Sequence, residues 1–194
     1  MKVAVVKYNA GNVQSVANAL NRLGVDPILT DDAEILRSAD KVIFPGVGEA
    51  STAMNYLQER HLDTCVKALK QPVLAICLGM QLLCASSDEN NTTCLSILPY
   101  KVRRFPKDVG KIPHVGWNNI SELRSPLFDG VGEDSRVYFV HSYFVEKGEH
   151  TIADASYGSA FSAAVGHDNF YAVQFHPEKS GSVGARILEN FLNI

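Results

Sequence analysis

Cys77 stands in the run Pro72-Val-Leu-Ala-Ile-Cys-Leu-Gly-Met-Gln81, where an apolar segment delivers a thiol to the point at which a buried strand should give way to a helix. A helix N-terminus gathers partial positive charge and unpaired backbone N–H groups, so a cysteine there can be activated and an oxyanion beside it can be held. Far along the chain, Phe170-Tyr-Ala-Val-Gln-Phe-His-Pro-Glu178 carries a second apolar strand into His176. Pro177 stiffens the turn and supplies no N–H, and Glu178 is placed to accept from the imidazole and hold it in one tautomer. Together these residue types perform acyl transfer: Cys77 attacks, His176 moves the proton and Glu178 holds His176. Positioned proton transfer of this kind adds ~10² to 10⁴ in rate. The rival arrangement is a metal held by Cys77, His141 and His176; the acyl-transfer reading calls for neither metal nor cofactor. Cys65, Cys84 and Cys94 read as packing.

Pro45-Gly-Val-Gly48 has two readings. It is a plain turn in which glycines free the backbone, or a turn that aims a backbone N–H at an oxyanion. It is not a phosphate loop, because the Gly-Lys-Ser/Thr ending is missing.

The elements that must position these groups alternate. Lys2 to Val6, Pro27 to Thr30, Lys41 to Phe44 and Pro72 to Ile76 read as strands, and Pro27 marks the second as short or at an edge. Between them, Val13, Val16, Ala17, Leu20 and Leu23 fall at helical spacing and end at Gly24. Glu49 to about Arg60 and Leu78 to about Ser86 are further helices. Such alternation predicts βαβ units and a mainly parallel sheet, with ligands bound at its carboxyl edge. Beyond about residue 100 the segments Lys101 to Phe105, Arg136 to Val145, Thr151 to Ala155, Ala160 to Val165 and Phe170 to Phe175 predict a mixed or antiparallel β-rich extension. A last helix, about Val183 to Leu192, turns Val183, Ile187, Leu188 and Phe191 inward.

A chain of 194 residues with 46% hydrophobic and 20% charged residues predicts one ordered domain over 1–194. A net charge of −3 with no basic block beyond Lys101-Val-Arg-Arg104 argues against nucleic acid as a partner. No run approaches the ~20 apolar residues of a membrane helix, the opening apolar run reads as a strand rather than an export signal, and the cysteines form no CxxC pair. The expectation is a protein with reduced thiols in the cytoplasm.

Pro-Gly-Val-Gly at 45–48, Ile-Cys-Leu-Gly-Met-Gln at 76–81 and Gln-Phe-His-Pro-Glu at 174–178 resemble the class I, triad-type glutamine amidotransferases. Within them the chain is most similar to the glutaminase subunits of imidazole glycerol phosphate synthases, of histidine biosynthesis. Tyr8-Asn-Ala-Gly-Asn12, Pro113-His-Val-Gly-Trp-Asn118 and Phe139-Val-His-Ser-Tyr143 extend the likeness over essentially the whole chain. The resemblance implies a three-layer α/β sandwich and a reaction in which Cys77 takes the acyl group of glutamine as a thioester and releases ammonia. It implies an oxyanion hole drawn from the N–H groups of Leu78 and the Gly46-Val47-Gly48 turn, the latter after a peptide flip. Gln81, Glu89, Ser142 and Tyr143 match positions that hold glutamine, although Glu89 reads equally well as a solvated loop carboxylate.

The resemblance also implies a partner, a (β/α)₈ cyclase that receives ammonia through a protected channel. Asn12, Trp117, Tyr138 and Lys179 match positions facing it; the plain alternatives are a helix cap, a core tryptophan, a half-buried strand tyrosine and a surface lysine. The sequence departs from the family pattern at Ala75 and Asn90, where glycine is usual, and at Lys7 and Asn9 in the first loop. The competing functions are a glutaminase serving another pathway of the same superfamily, or a non-catalytic platform. Retention of Cys77, His176 and Glu178 argues against the platform, and Pro-Gly-Val-Gly in place of Pro-Gly-Gly-Glu-Ser argues against pyridoxal phosphate synthesis.

Overall fold

Strand-forming apolar runs and the helices between them assemble in the predicted alternation. The computed structural model describes residues 1–9 and 12–194; Ala10 and Gly11 of the Tyr8–Asn12 motif lie outside the described residues. In chain order the first half contains β1 (Val3–Val6), α1 (Val13–Arg22), β2 (Ile28–Thr30), α2 (Ala33–Ser38), β3 (Lys41–Phe44), α3 (Ala50–Glu59), α4 (Leu62–Ala68), β4 (Val73–Ile76) and α5 (Leu78–Leu83). Then come β5 (Ser86–Ser87), β6 (Thr92–Thr93), β7 (Lys101–Arg104), β8 (His114–Asn119), β9 (Arg136–His141), β10 (Tyr143–Val145), β11 (Thr151–Tyr157), β12 (Ser159–His167), β13 (Phe170–Val173) and α6 (Gly181–Asn193).

The main sheet has seven strands in the order β11-β12-β13-β4-β3-β1-β2. Strands β13, β4, β3, β1 and β2 run parallel, while β11, β12 and β13 pair antiparallel. Strand residues alternate between two cores. Val6, Val42, Phe44 and Val73 pack under α2–α5, whereas Val5, Ile43, Leu74 and Ile76 pack under α1 and α6. This is the expected three-layer arrangement, and complete burial of each such side chain contributes roughly 1.5–3 kcal/mol relative to exposure.

Two small sheets flank the carboxyl edge. One is β10-β7-β5-β6 and the other pairs β8 with β9. The expected strand Arg136 to Val145 is therefore two strands, broken at Ser142, which hand the chain from one small sheet to the other. The short α2 and α4 were not among the predicted elements. Asp32 caps α2 by accepting from the N–H groups of Glu34 and Ile35, and α4 buries Leu62, Cys65 and Val66.

Candidate active site

The register of β13 on β4 pairs Val173 with Ile76, which sets Cys77 and Gln174 side by side where the two strands end. The Cys77 N–H donates to the Val173 carbonyl at 2.8 Å, and its residue then turns to φ 54°, ψ −109° as the N-cap of α5. That positive φ is strained for a residue with a side chain, and it lifts the thiol to the sheet edge as in other strand-to-helix nucleophile elbows. Gly79 makes the elbow possible, because a β-carbon there would overlap the Phe44 carbonyl oxygen. The departure at Ala75 is accommodated: its methyl would lie 3.6 Å from even a β-carbon at position 79, an ordinary contact.

His176 leaves the end of β13 with its backbone N–H on the Tyr138 carbonyl at 2.9 Å. Its Nδ1 bonds Glu178 Oε1 at 2.8 Å, and both side chains are completely buried. Nε2 is buried with no hydrogen-bond partner. Burial disfavours the imidazolium, but the nearby Cys77 sulfur and then the Glu178 carboxylate outweigh it and raise the His176 pKa to about 10. A ring protonated at neutral pH therefore faces the sulfur, ready to supply a proton to a leaving group.

In front of the sulfur lies a cavity of about 240 Å³. Of the residues read as substrate- or oxyanion-binding, Val47, Gly48, Leu78, Gln81, Glu89, Ser142 and Tyr143 line it. Burial raises the Glu89 pKa, and its carboxylate accepts the Ala50 N–H at 2.7 Å. Gly46 does not line the cavity; its carbonyl accepts the Leu78 N–H at 3.2 Å. The Tyr8 hydroxyl donates to the neighbouring Pro45 carbonyl at 2.6 Å, anchoring the same turn. Asn90 adopts φ 51°, the left-handed conformation that asparagine tolerates.

The four residues read as partner-facing divide. Trp117 is 48% exposed, its ring lies 6.2 Å from that of Tyr138, and the Lys179 ammonium sits 6.0 Å from the Tyr138 ring centroid. These three form one patch behind His176, whose backbone N–H reaches the Tyr138 carbonyl. Asn12 does not join it, and instead donates to Glu178 Oε1.

The three packing cysteines, Cys65, Cys84 and Cys94, are buried and free. The rival metal arrangement is not assembled: among the described residues no group of three or more His, Cys, Asp or Glu side chains could hold an ion. His141 bonds His114 and the Tyr143 carbonyl instead. Residue-type reasoning missed Gln174, whose amide donates to Cys77 Sγ at 3.7 Å, although its place two residues before His176 put it in the same motif.

Fold and site together are the framework of a glutamine-dependent amidotransferase. The chain belongs to the class-I glutamine amidotransferase family, whose model matches residues 4–194. It is 58% identical to the imidazole glycerol phosphate synthase subunit HisH of Bacteroides fragilis over the whole of both chains. It is 45% identical to the HisH subunit of Haemophilus influenzae over 99% of this chain and 97% of that one. Among solved structures, PurLQS of Thermotoga maritima superposes with a TM-score of 0.75 at 19% identity, covering 99% of this chain and 97% of that one. A structure described as glutamine amidotransferase gives 0.76 at 21%, covering 98% and 97%. At such identities these likenesses carry the fold alone.

Proposed function

We propose that this chain is the glutaminase subunit of an imidazole glycerol phosphate synthase, acting in the cytoplasm as one domain over 1–194. The observation that carries the reading is His176, fully buried between Cys77 and Glu178 with a raised pKa and an unpartnered Nε2. The sulfur of Cys77, its proton having passed to His176, adds to the side-chain carboxamide carbon of glutamine and forms a tetrahedral oxyanion. His176 protonates the departing nitrogen, the C–N bond breaks and ammonia leaves, with the acyl group held as a thioester on Cys77. Water, deprotonated by His176, then attacks the thioester and releases glutamate and the thiol. Gln81, Glu89, Ser142 and Tyr143 hold the substrate, with the Glu89 carboxylate suited to its ammonium group.

The oxyanion would be bound by N–H groups of Leu78 and the Gly46-Val47-Gly48 turn. The Leu78 N–H donates instead to the Gly46 carbonyl, so the hole is shut in this conformation. Opening requires the turn to move, and we assign that step to docking of a (β/α)₈ cyclase on the Trp117, Tyr138 and Lys179 patch. A protected route to the partner keeps ammonia from being protonated by bulk water. Glutamate release on mixing the chain with the cyclase subunit, its substrate and glutamine tests the proposal. It should rise well above that of the chain alone and vanish in Cys77→Ala. An unchanged rate on mixing, or an active Cys77→Ala variant, refutes it. Labelling by the electrophile diazo-oxo-norleucine should fall on Cys77 and accelerate with the partner present.

A further inference from the structure

Two buried histidines, His114 on β8 and His141 on β9, play no part in the chemistry above, yet they are hydrogen-bonded to one another. His114 Nδ1 and His141 Nε2 lie 3.0 Å apart, His141 Nδ1 is 2.8 Å from the Tyr143 carbonyl, and Asn118 Nδ2 is 3.4 Å from His114 Nε2. The direction of each bond follows from elementary chemistry. A carbonyl has no proton to give, so His141 Nδ1 carries one. His141 is 5% exposed, and burial holds it neutral with a pKa near 3, so its Nε2 is bare and must accept from His114 Nδ1. Burial likewise lowers the His114 pKa, leaving its Nε2 to accept from Asn118. The Asn118 amide is itself fixed, with Oδ1 accepting the Asn119 N–H at 2.8 Å and Nδ2 donating to the Ser156 carbonyl at 2.9 Å.

The Tyr143 carbonyl receives a second donor from the opposite side. Gln81 Nε2 gives one hydrogen to it and one to Gln174 Oε1, both at 3.0 Å, and this orientation leaves the Gln174 N–H for the sulfur of Cys77. With both of its N–H groups engaged, Gln81 offers a ligand only its carboxamide oxygen. An uncharged chain of hydrogen bonds with one possible polarity thus runs from Asn118 to the nucleophile. It begins on the strand whose opposite face exposes Val115 and Trp117.

We propose that Asn118, His114 and His141 are positioning residues for glutamine, forming a neutral relay that holds the Tyr143 carbonyl, and through it Gln81 and Gln174, in register with the Cys77 sulfur. The proposal rests on the glutaminase reading of the pocket. Asn118→Ala merely removes one donor. Asn118→Asp sets an oxygen against the bare His114 Nε2. Relief then requires either a charge on His114, within an aromatic shell of Phe139 and Tyr157, or reversal of both rings, which turns a bare His141 nitrogen on the Tyr143 carbonyl.

Two measurements decide it. Imidazole ¹⁵N shifts of the labelled full chain should show His114 and His141 as neutral Nδ1–H tautomers; an Nε2–H tautomer at either ring overturns the relay. Steady-state glutaminase kinetics with the synthase partner should show Asn118→Asp raising KM for glutamine about tenfold, with kcat within about threefold of wild type, as loss of roughly 1.4 kcal/mol of binding predicts. Asn118→Ala should raise KM less than about threefold. Equal KM values in the two variants, or an effect confined to kcat, reject a polarity-dependent positioning role. If the Asn118→Asp chain fails to fold, the wild-type ring tautomers decide alone. Absence of wild-type glutamate release would defeat the glutaminase reading, and the rings would still decide the relay.

Discussion

The side-chain amide of Asn12 donates to Glu178 Oε1, the same oxygen that bonds His176 Nδ1 at 2.8 Å. Asn12 sits in the left-handed region at φ 69°, as the residue preceding α1, and makes no side-chain cap there. Its amide therefore orients the carboxylate that orients the ring, while Glu178 Oε2 remains buried and unpartnered. Asn12→Ala leaves Oε1 with one donor and lets the carboxylate turn. We expect kcat to fall about tenfold with KM for glutamine little changed, in line with ~1.5 kcal/mol, the low end for a hydrogen bond to a charged group. Glutaminase kinetics with the partner present check this, and a fall in partner affinity with unchanged saturated kcat would return Asn12 to the partner face.

The His176 imidazole ties its charge state to folding. Its pKa in the folded chain, about 10, lies above the ordinary 6.5, so the folded state binds the proton more tightly than the unfolded state does. The resulting stabilisation is complete below pH 6.5 and disappears as pH rises through about 10. Thermal unfolding of wild type and His176→Gln across this range should give midpoints that differ most near pH 6 and converge toward pH 10. A gap that widened with pH would contradict the sign.

Tyr8 holds the turn that begins at Pro45 from outside the pocket. Its hydroxyl donates to Pro45 at 2.6 Å, its ring lies 5.4 Å from that of Phe44, and burial followed by the proximity of Cys77 pushes the phenol pKa far upward, so it remains a donor. Tyr8→Phe frees the carbonyl that precedes the Gly46 peptide. With the turn less firmly anchored, partner-independent glutaminase activity should rise roughly threefold, the equivalent of a neutral hydrogen bond of ~0.5–1 kcal/mol. Partner-activated turnover should change less. A decrease in the basal rate would show that Tyr8 supports the open turn instead.

Trp117, Tyr138 and Lys179 meet on a surface continuous with the His176 backbone, through the Tyr138 carbonyl. A half-exposed tryptophan contributes little to the fold of the isolated chain but much to an interface. Trp117→Ala should weaken partner binding about 30-fold, corresponding to a hot-spot loss of ~2 kcal/mol, while leaving the unfolding midpoint almost unchanged. Calorimetric titration with the cyclase subunit measures the first and thermal unfolding the second. Undiminished affinity would remove this patch from the interface.

The parallel half of the fold was legible because β1, β3 and β4 are buried on both faces and read as apolar runs, interrupted only by Lys41 at the start of β3. Strand β8 was not, because its alternation is inverted: His114 is buried while Val115 is 56% exposed. The inward face follows the histidine relay, and the outward apolar residues fit a surface made for a partner. The short α2 and α4 have only six and seven residues, too few turns for periodicity to stand out. In the site, Cys77, His176 and Glu178 were readable because motif spacing brings strand ends together. The bond from Asn12 to Glu178 was not, since nothing local distinguishes an asparagine facing a partner from one facing a carboxylate across 166 residues.

Gly79 gives the most direct test of how closely α5 must approach the sheet. A β-carbon there would meet the Phe44 carbonyl oxygen and carbon, and neither backbone atom can move without disturbing β3, whose Phe44 pairs with Ala75 on β4. Overpacking of this kind typically costs ~1–3 kcal/mol, and backbone contact places Gly79→Ala at the upper end. Its cost should appear twice: in a lower denaturant midpoint, and in a loss of glutamine turnover beyond what stability explains, because Leu78 and the N-terminus of α5 are pushed away from the sulfur. Ala75→Gly is the opposing control. It removes a methyl that has room, so turnover should stay within about twofold while stability falls by ~0.5–1 kcal/mol from the added freedom of the unfolded chain. Equal and small effects of the two substitutions would mean that the elbow is looser than the contact between Gly79 and Phe44 requires.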